Sequence, residues 1–134
     1  FEDNLRYEIH IEPGLEDYSI PRFLLQPIVE NAVIHGIEKS ASGGTVILSC
    51  YETADAVCLD VANDGPCIDD DTKRALKESF AHPEILTTHI GLSNVNERIR
   101  LSFGREYGLL MLDWHPRGTL IRAVLPRKEG EISR

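Results

Sequence analysis

Residues 24–36, Leu-Leu-Gln-Pro-Ile-Val-Glu-Asn-Ala-Val-Ile-His-Gly, decide how the chain is read, because apolar side chains recur there at helical spacing with polar ones between them. At about 100° per residue, Ile20, Leu24, Leu25, Ile28, Val29, Ala32 and Val33 cover more than half of a helical circumference. This predicts a long helix over residues 20–39, buried on a wide face. Pro21 stands where a first turn tolerates proline, and Gly36 lies near the end. The remaining arc is read as carrying Gln26, Pro27, Glu30, Asn31, Ile34 and His35. A polar strip on an otherwise buried helix predicts a cavity beside it.

Upstream, Leu5, Tyr7, Ile9 and Ile11 alternate with Arg6, Glu8 and His10, the pattern of a half-buried strand. That strand is entered almost without a leader, so the domain is expected to come from a longer protein. Downstream, TVILSCY and AVCLDVAN flank a short loop, Glu52 to Asp55, and predict a hairpin. GLLMLDW and TLIRAVLP, joined through His115, Pro116, Arg117 and Gly118, predict a second. Between them lie a short helix at DDDTKRALKESFA, an irregular HPEILTTH, and a helix at GLSNVNERIRLSFG with Leu92, Val95, Ile99 and Phe103 on one side. Hairpins mixed with helices predict an α+β fold: a two-layer sandwich whose mixed, mostly antiparallel sheet is covered on one face by helices.

The chain has 134 residues, 42% hydrophobic and 27% charged, which is the size and composition of one soluble domain spanning 1–134. Residues 127–134 read as a frayed tail. Fourteen basic against twenty-two acidic residues give a net charge of −8, which argues against nucleic acid and anionic lipid as partners. No apolar run approaches the roughly 20 residues that span a bilayer. Cys50, Cys58 and Cys67 form no C-x-x-C, so neither a disulfide framework nor a zinc site is indicated. Cys50 and Cys58 are placed to face each other across the first hairpin or to act as small buried hydrophobes. A reducing cytosol fits this usage.

Three segments are richer in small and polar residues than a core requires: Glu30-Asn31-Ala32 with His35-Gly36, Asn63 to Ile68, and His89 to Asn94. Each taken singly reads as a core amide, a turn or a helix cap. In this order, LLQPIVENAVIHG, VANDGPCI and HIGLSNVNERI resemble the N, G1 and G2 boxes of the ATP-binding domain of sensor histidine kinases, most closely the LytS/YesM-like group. Gly118-Thr119 leading into a strand that ends at Leu125-Pro126 resembles that group too, and RYEIHIE resembles the strand after its dimerization helices. The resemblance implies the Bergerat, or GHKL, fold, with ATP held between helices and sheet.

What the resemblance implies for individual residues follows position by position. Asn31 falls on the magnesium-binding asparagine, and an amide oxygen suits Mg²⁺, a hard cation with oxygen ligands. Glu30, beside it, is the candidate proton acceptor or support for the metal's water shell, with a salt bridge as the alternative. His35 is placed to contact phosphate or line the pocket, or to pack in the core. Asn63 falls on the aspartate that receives adenine's amino group, and its amide oxygen still accepts. Asp64, Gly65 and Ile68 complete that box, with Cys67 where a second glycine is usual. Gly91, at a helix start with Leu92 and Asn94 following, leaves backbone N–H groups for phosphates. His89 stands where a commoner first glycine would be, and Thr119 closes the set. Residues 69–88 match the ATP lid in position. Where ATPase branches of the superfamily have a water-activating glutamate four residues before the asparagine, this chain has Pro27, so slow hydrolysis is expected.

The implied function is the catalytic domain of a two-component sensor histidine kinase, transferring the γ-phosphoryl group of Mg-ATP to a histidine on an upstream dimerization helix, for relay to a response regulator. None of the five histidines here has the acceptor's setting, so the sensor and phosphoacceptor regions are expected elsewhere in a homodimeric parent. The domain is expected to be cytoplasmic without touching the membrane itself, its parent anchored in the bacterial inner membrane. Two rivals are a noncatalytic nucleotide-sensing or scaffolding domain, favoured by Asn63, Cys67 and His89, and an anti-sigma-factor-type serine kinase.

Overall fold

The computed structural model describes residues 5–20, 22–33, 44–63, 71, 74, 78, 90–113 and 118–127. Through them run β1 (Leu5–Ile11), α1 (Arg22–Ala32), β2 (Gly44–Glu52), β3 (Val57–Asn63), α2 (Ile90–Phe103), β4 (Gly108–Asp113) and β5 (Thr119–Leu125). The strands form one sheet in the order β1-β2-β3-β5-β4. β1 and β2 are parallel and every other pair is antiparallel. This is the α+β sandwich expected, with both hairpins in place. Asp71, Arg74 and Glu78 are helical, as the acidic segment predicts, and Arg74 Nη1 lies 3.0 Å from Asp71 Oδ1.

Alternation along each strand sends every second residue to one face. Val46 and Cys50 of β2, Leu59 and Val61 of β3, and Ile121 and Ala123 of β5 share the face that packs with Leu24, Ile28, Val95 and Ile99 of the helices. Leu24, Ile28, Leu59 and Ile99 are wholly buried. Each such aliphatic side chain contributes about 1.5–3 kcal/mol relative to remaining in water. α1 ends its stripe at Ala32, and the part of the expected helix beyond Val33 lies outside the described residues.

The first strand departs from expectation. β1 forms, but Tyr7, Ile9 and Ile11 are 58%, 64% and 47% exposed. Their register partners Val46, Leu48 and Cys50 place them on the helix-side face. Among the described residues α1 packs over β3 and α2 over β4, so the apolar side of edge strand β1 lacks a cover. The cysteines are separated as well. Cys50 pairs with Leu59 and Cys58 with Tyr51, so the two thiols point to opposite faces. Burial pushes both thiols up in pKa.

The opposite face carries an ion pair that the alternation did not reveal. Asp60 Oδ1 accepts from Arg122 Nε at 2.9 Å, and Oδ2 accepts from Arg122 Nη2 at 3.1 Å and from Tyr51 Oη at 2.9 Å. The bidentate geometry ties β2, β3 and β5 in register. It raises the pKa of Arg122 through that hydrogen bond. At the opposite end of the strands from Asn63, Arg127 Nη1 donates to the carbonyls of Thr53 and Ala54 at 2.9 Å each, and its Nη2 lies 3.2 Å from Glu52 Oε2. Arg127 therefore belongs to the folded part, and the expected tail starts no earlier than residue 128.

Tyr18 Oη donates to the Pro126 carbonyl at 2.6 Å and ties the segment before α1 to the end of β5. Burial, with Cys50 next in effect, pushes its phenol from 10.0 up to about 12. Below pH 10 the phenol is protonated in both folded and unfolded chains, and its stabilising contribution is complete. Between 10 and about 12 the unfolded chain loses the proton first, so stability falls with rising pH. Tyr51 shifts the same way, through burial and then Asp60. Urea unfolding across this range is expected to show a shallower alkaline loss for Tyr18→Phe, which costs about 1 kcal/mol at neutral pH. An unchanged alkaline slope would contradict this role for Tyr18.

Candidate functional site

The chemistry foreseen for residues 30–36 divides between two sides of α1. Asn31 lies two helical turns after Leu24, in line with Leu24 and Ile28, and is only 9% exposed. It stands on the packed face and not on a polar strip. Among the described residues its amide has no hydrogen bond. Glu30 is turned to solvent, where Gln26 Nε2 donates to its Oε2 at 2.9 Å. An i, i+4 pair on the outer side of a helix is a surface arrangement. The structure therefore does not bring Glu30 and Asn31 to one site. His35 lies outside the described residues.

A second buried polar locus closes the helix-side face of the sheet. Asn63, the last residue of β3, pairs with Thr119, the first of β5. Following Leu59-Val61 and Ala123-Ile121 along their strands, both residues point to the side that packs against the helices. Each is 3% exposed, and among the described residues neither Asn63 Oδ1 nor Thr119 Oγ1 has a hydrogen-bond partner. A buried polar atom without a partner costs about 1–3 kcal/mol. Two on facing positions mark a place where something polar belongs. Asp64, Gly65, Ile68 and Cys67 lie outside the described residues.

α2 supplies the third part. Its first turn begins at Ile90-Gly91, and the N–H groups of a first turn have no partner within the helix. Leu92 is a member of the hydrophobic core, while Asn94 is exposed. Leu92 thus anchors the helix start, and only its backbone is available to a ligand. One residue that sequence reasoning passed over fixes the far side of α2. Asn96, buried four residues after Leu92, accepts the Leu109 N–H at 2.9 Å through Oδ1. Its spacing from Leu92 was the available signal. His89 and the lid segment, apart from residues 71, 74 and 78, lie outside the described residues.

Buried amides on α1 and β3, a hydroxyl on β5 and the start of α2 occur in the order the three segments predict. Residues 16–129 match the family described as histidine kinase-, DNA gyrase B-, and HSP90-like ATPase. The chain belongs to that family. This ATPase-family domain is 31% identical over 126 residues to the sensor histidine kinase YesM of Bacillus subtilis (strain 168), which covers 94% of this chain and 20% of YesM. The chain thus spans about a fifth of the length of its curated relatives. Among solved structures, the nucleotide-free catalytic domain of histidine kinase ThkA superposes with a TM-score of 0.66 at 19% identity, covering 93% of this chain and 81% of that one. ThkA in complex with the response regulator TrrA superposes at 0.59 with 22% identity, over 93% of this chain and 36% of that one. These likenesses bear out the histidine kinase catalytic fold. Among the described residues no helix is long and apolar enough to cross a membrane, and no group of three or more His, Cys, Asp or Glu is placed to hold a metal.

Proposed function

We propose that this domain binds Mg-ATP between its helices and the Asn63–Thr119 end of the sheet, and that within a parent sensor histidine kinase it delivers the γ-phosphoryl group to a histidine on the dimerization helices. The observation that carries this reading is the pair of orphaned oxygens, Asn63 Oδ1 and Thr119 Oγ1. Both accept hydrogen bonds, and the edge of a purine carries donors for them. Asn31 offers an amide on the packed face of α1, the donor type a hard divalent cation takes. Gly91 and the start of α2 present N–H groups and the positive end of a helix dipole to phosphates, with Asn94 at the rim. Mg²⁺, when bound, neutralises phosphate charge. Asp64, Gly65, Ile68 and His35 complete the set as sequence neighbours of these positions.

The chain's own residues hold and orient the nucleotide. Glu30 lies on the solvent side of α1, where it accepts from Gln26, and is assigned no step in the transfer. Pro27 lacks any base, which favours transfer to a protein acceptor over rapid hydrolysis. The acceptor histidine, a homodimeric arrangement and relay to a response regulator belong to the parent, which we place in the bacterial inner membrane with this domain in the cytoplasm. ThkA has been crystallised in complex with the response regulator TrrA, which supports relay by analogy. Calorimetric titration of the chain with ATP, with and without Mg²⁺, is expected to give magnesium-dependent binding. Labelled ATP should leave no phosphohistidine on the isolated chain. Absence of ATP binding would favour the scaffolding reading instead.

A further inference from the structure

We propose that Asn63 and Thr119 read the 6-position of a purine without preference for its polarity, so that the site takes 6-oxopurine nucleotides as well as 6-aminopurine ones. The proposal rests on the nucleotide-binding reading above and adds the identity of the base. Both side chains are 3% exposed, face the helix layer from register partners, and have oxygens with no hydrogen bond among the described residues. Their neighbours on the same face of β2, β3 and β5, namely Val46, Val61 and Ile121, are apolar.

Both groups can act in two senses. A carboxamide presents a carbonyl oxygen and an NH₂ side by side, and half a turn about its last bond exchanges them. A hydroxyl donates or accepts by rotating its proton. A 6-aminopurine offers a donor at the 6-amino group and an acceptor at N1. A 6-oxopurine offers the reverse, an acceptor at O6 and a donor at N1. In one orientation the Asn63 amide satisfies the first edge, and after the half turn it satisfies the second. Thr119 adapts in the same way. A carboxylate at position 63 would accept only and would repel O6, so the amide is the residue that sets base tolerance.

The test titrates the chain calorimetrically with ATP and with ITP in the presence of Mg²⁺, ITP being chosen because it carries the 6-oxo edge without a 2-amino group. For the unaltered chain, the two affinities are expected to agree within about tenfold, and in Asn63→Asp the ratio of ATP to ITP affinity should rise by more than about thirtyfold, whatever the variant's absolute affinity for ATP. Preference of the unaltered chain for ATP by more than about a hundredfold overturns the inference and leaves ATP binding standing, as does an Asn63→Asp variant that still binds both alike. Binding of neither nucleotide removes this inference together with the function it rests on. Should Asn63→Asp not fold, Thr119→Val decides: loss of both nucleotides in equal proportion supports the proposal, and loss of one alone overturns it.

Discussion

Replacing Asn31 by alanine is expected to weaken Mg-ATP binding by at least about a hundredfold, since even residues that merely support a metal's ligands are worth 10–100-fold in affinity. In the parent kinase, autophosphorylation should fall at least as far. The melting temperature is expected to stay within a few degrees. Asn31 lies on the packed face of α1, 9% exposed, and has no hydrogen bond among the described residues. Truncating an amide that is bonded to the fold removes about 1 kcal/mol for the bond and orphans its partner at further cost. Here no bond to a described residue is lost, and alanine gains up to about 0.7 kcal/mol of helix propensity over asparagine. The small cavity left behind acts in the other direction, so the two nearly cancel. Calorimetric titration and thermal unfolding of the same variant therefore separate two roles. Lost binding with an intact melting transition identifies a ligand. A drop of more than about 5 °C with ATP binding preserved would show a structural amide and remove Asn31 from the site. Asn31→Asp keeps an oxygen and should retain more affinity than alanine.

That amide also shows what could and could not be read from the chain. Periodicity found α1, but Asn31 was assigned to a polar strip with Glu30, whereas its two-turn spacing from Leu24 puts it on the buried face. Polarity misled where geometry decides. Strand β1 was equally plain from its alternation, yet Tyr7, Ile9 and Ile11 are exposed, because alternation reports that a strand has two faces and not whether anything covers either one. Both hairpins were legible from turn residues and paired apolar runs. Their register was not, and with it went the placement of Cys50 and Cys58 on opposite faces. The Asp60–Arg122 pair joins residues 62 apart in sequence, so no local pattern could announce it. Of the candidate site, Asn63 and Thr119 were chosen by family resemblance one at a time. That they face each other, each with an unpartnered oxygen, is a property of the β3–β5 register.

Gly108→Ala is expected to be the most destabilising small substitution in the sheet, and the reason lies at the junction of α2 with edge strand β4. Gly108 adopts φ 153°, a conformation that a side chain rarely takes, and a Cβ built there would stand 2.6 Å from Asn96 Oδ1. That oxygen is not free to retreat. It is buried in the α2–β4 contact and accepts the Leu109 N–H at 2.9 Å. Alanine therefore meets two penalties, backbone strain of about 1–3 kcal/mol and a displaced acceptor that orphans Leu109 N–H for another 1–3. A total of about 3 kcal/mol corresponds to a melting temperature lower by roughly 10 °C for a domain of this size. Asn96→Ala removes the obstructing atom and the hydrogen bond together, so the double variant should be less destabilised than the two single losses added, by about 1 kcal/mol. Urea unfolding of the four proteins measures that coupling. Additivity within about 0.3 kcal/mol would mean that the side chain at 96 and the backbone at 108 do not meet in solution. Because Leu92 and Asn96 lie on the same side of α2, loosening the β4 end also frees the helix whose first turn is assigned to phosphates. ATP affinity is thus expected to fall in Gly108→Ala, and to fall in the double variant by less than the two single losses combined.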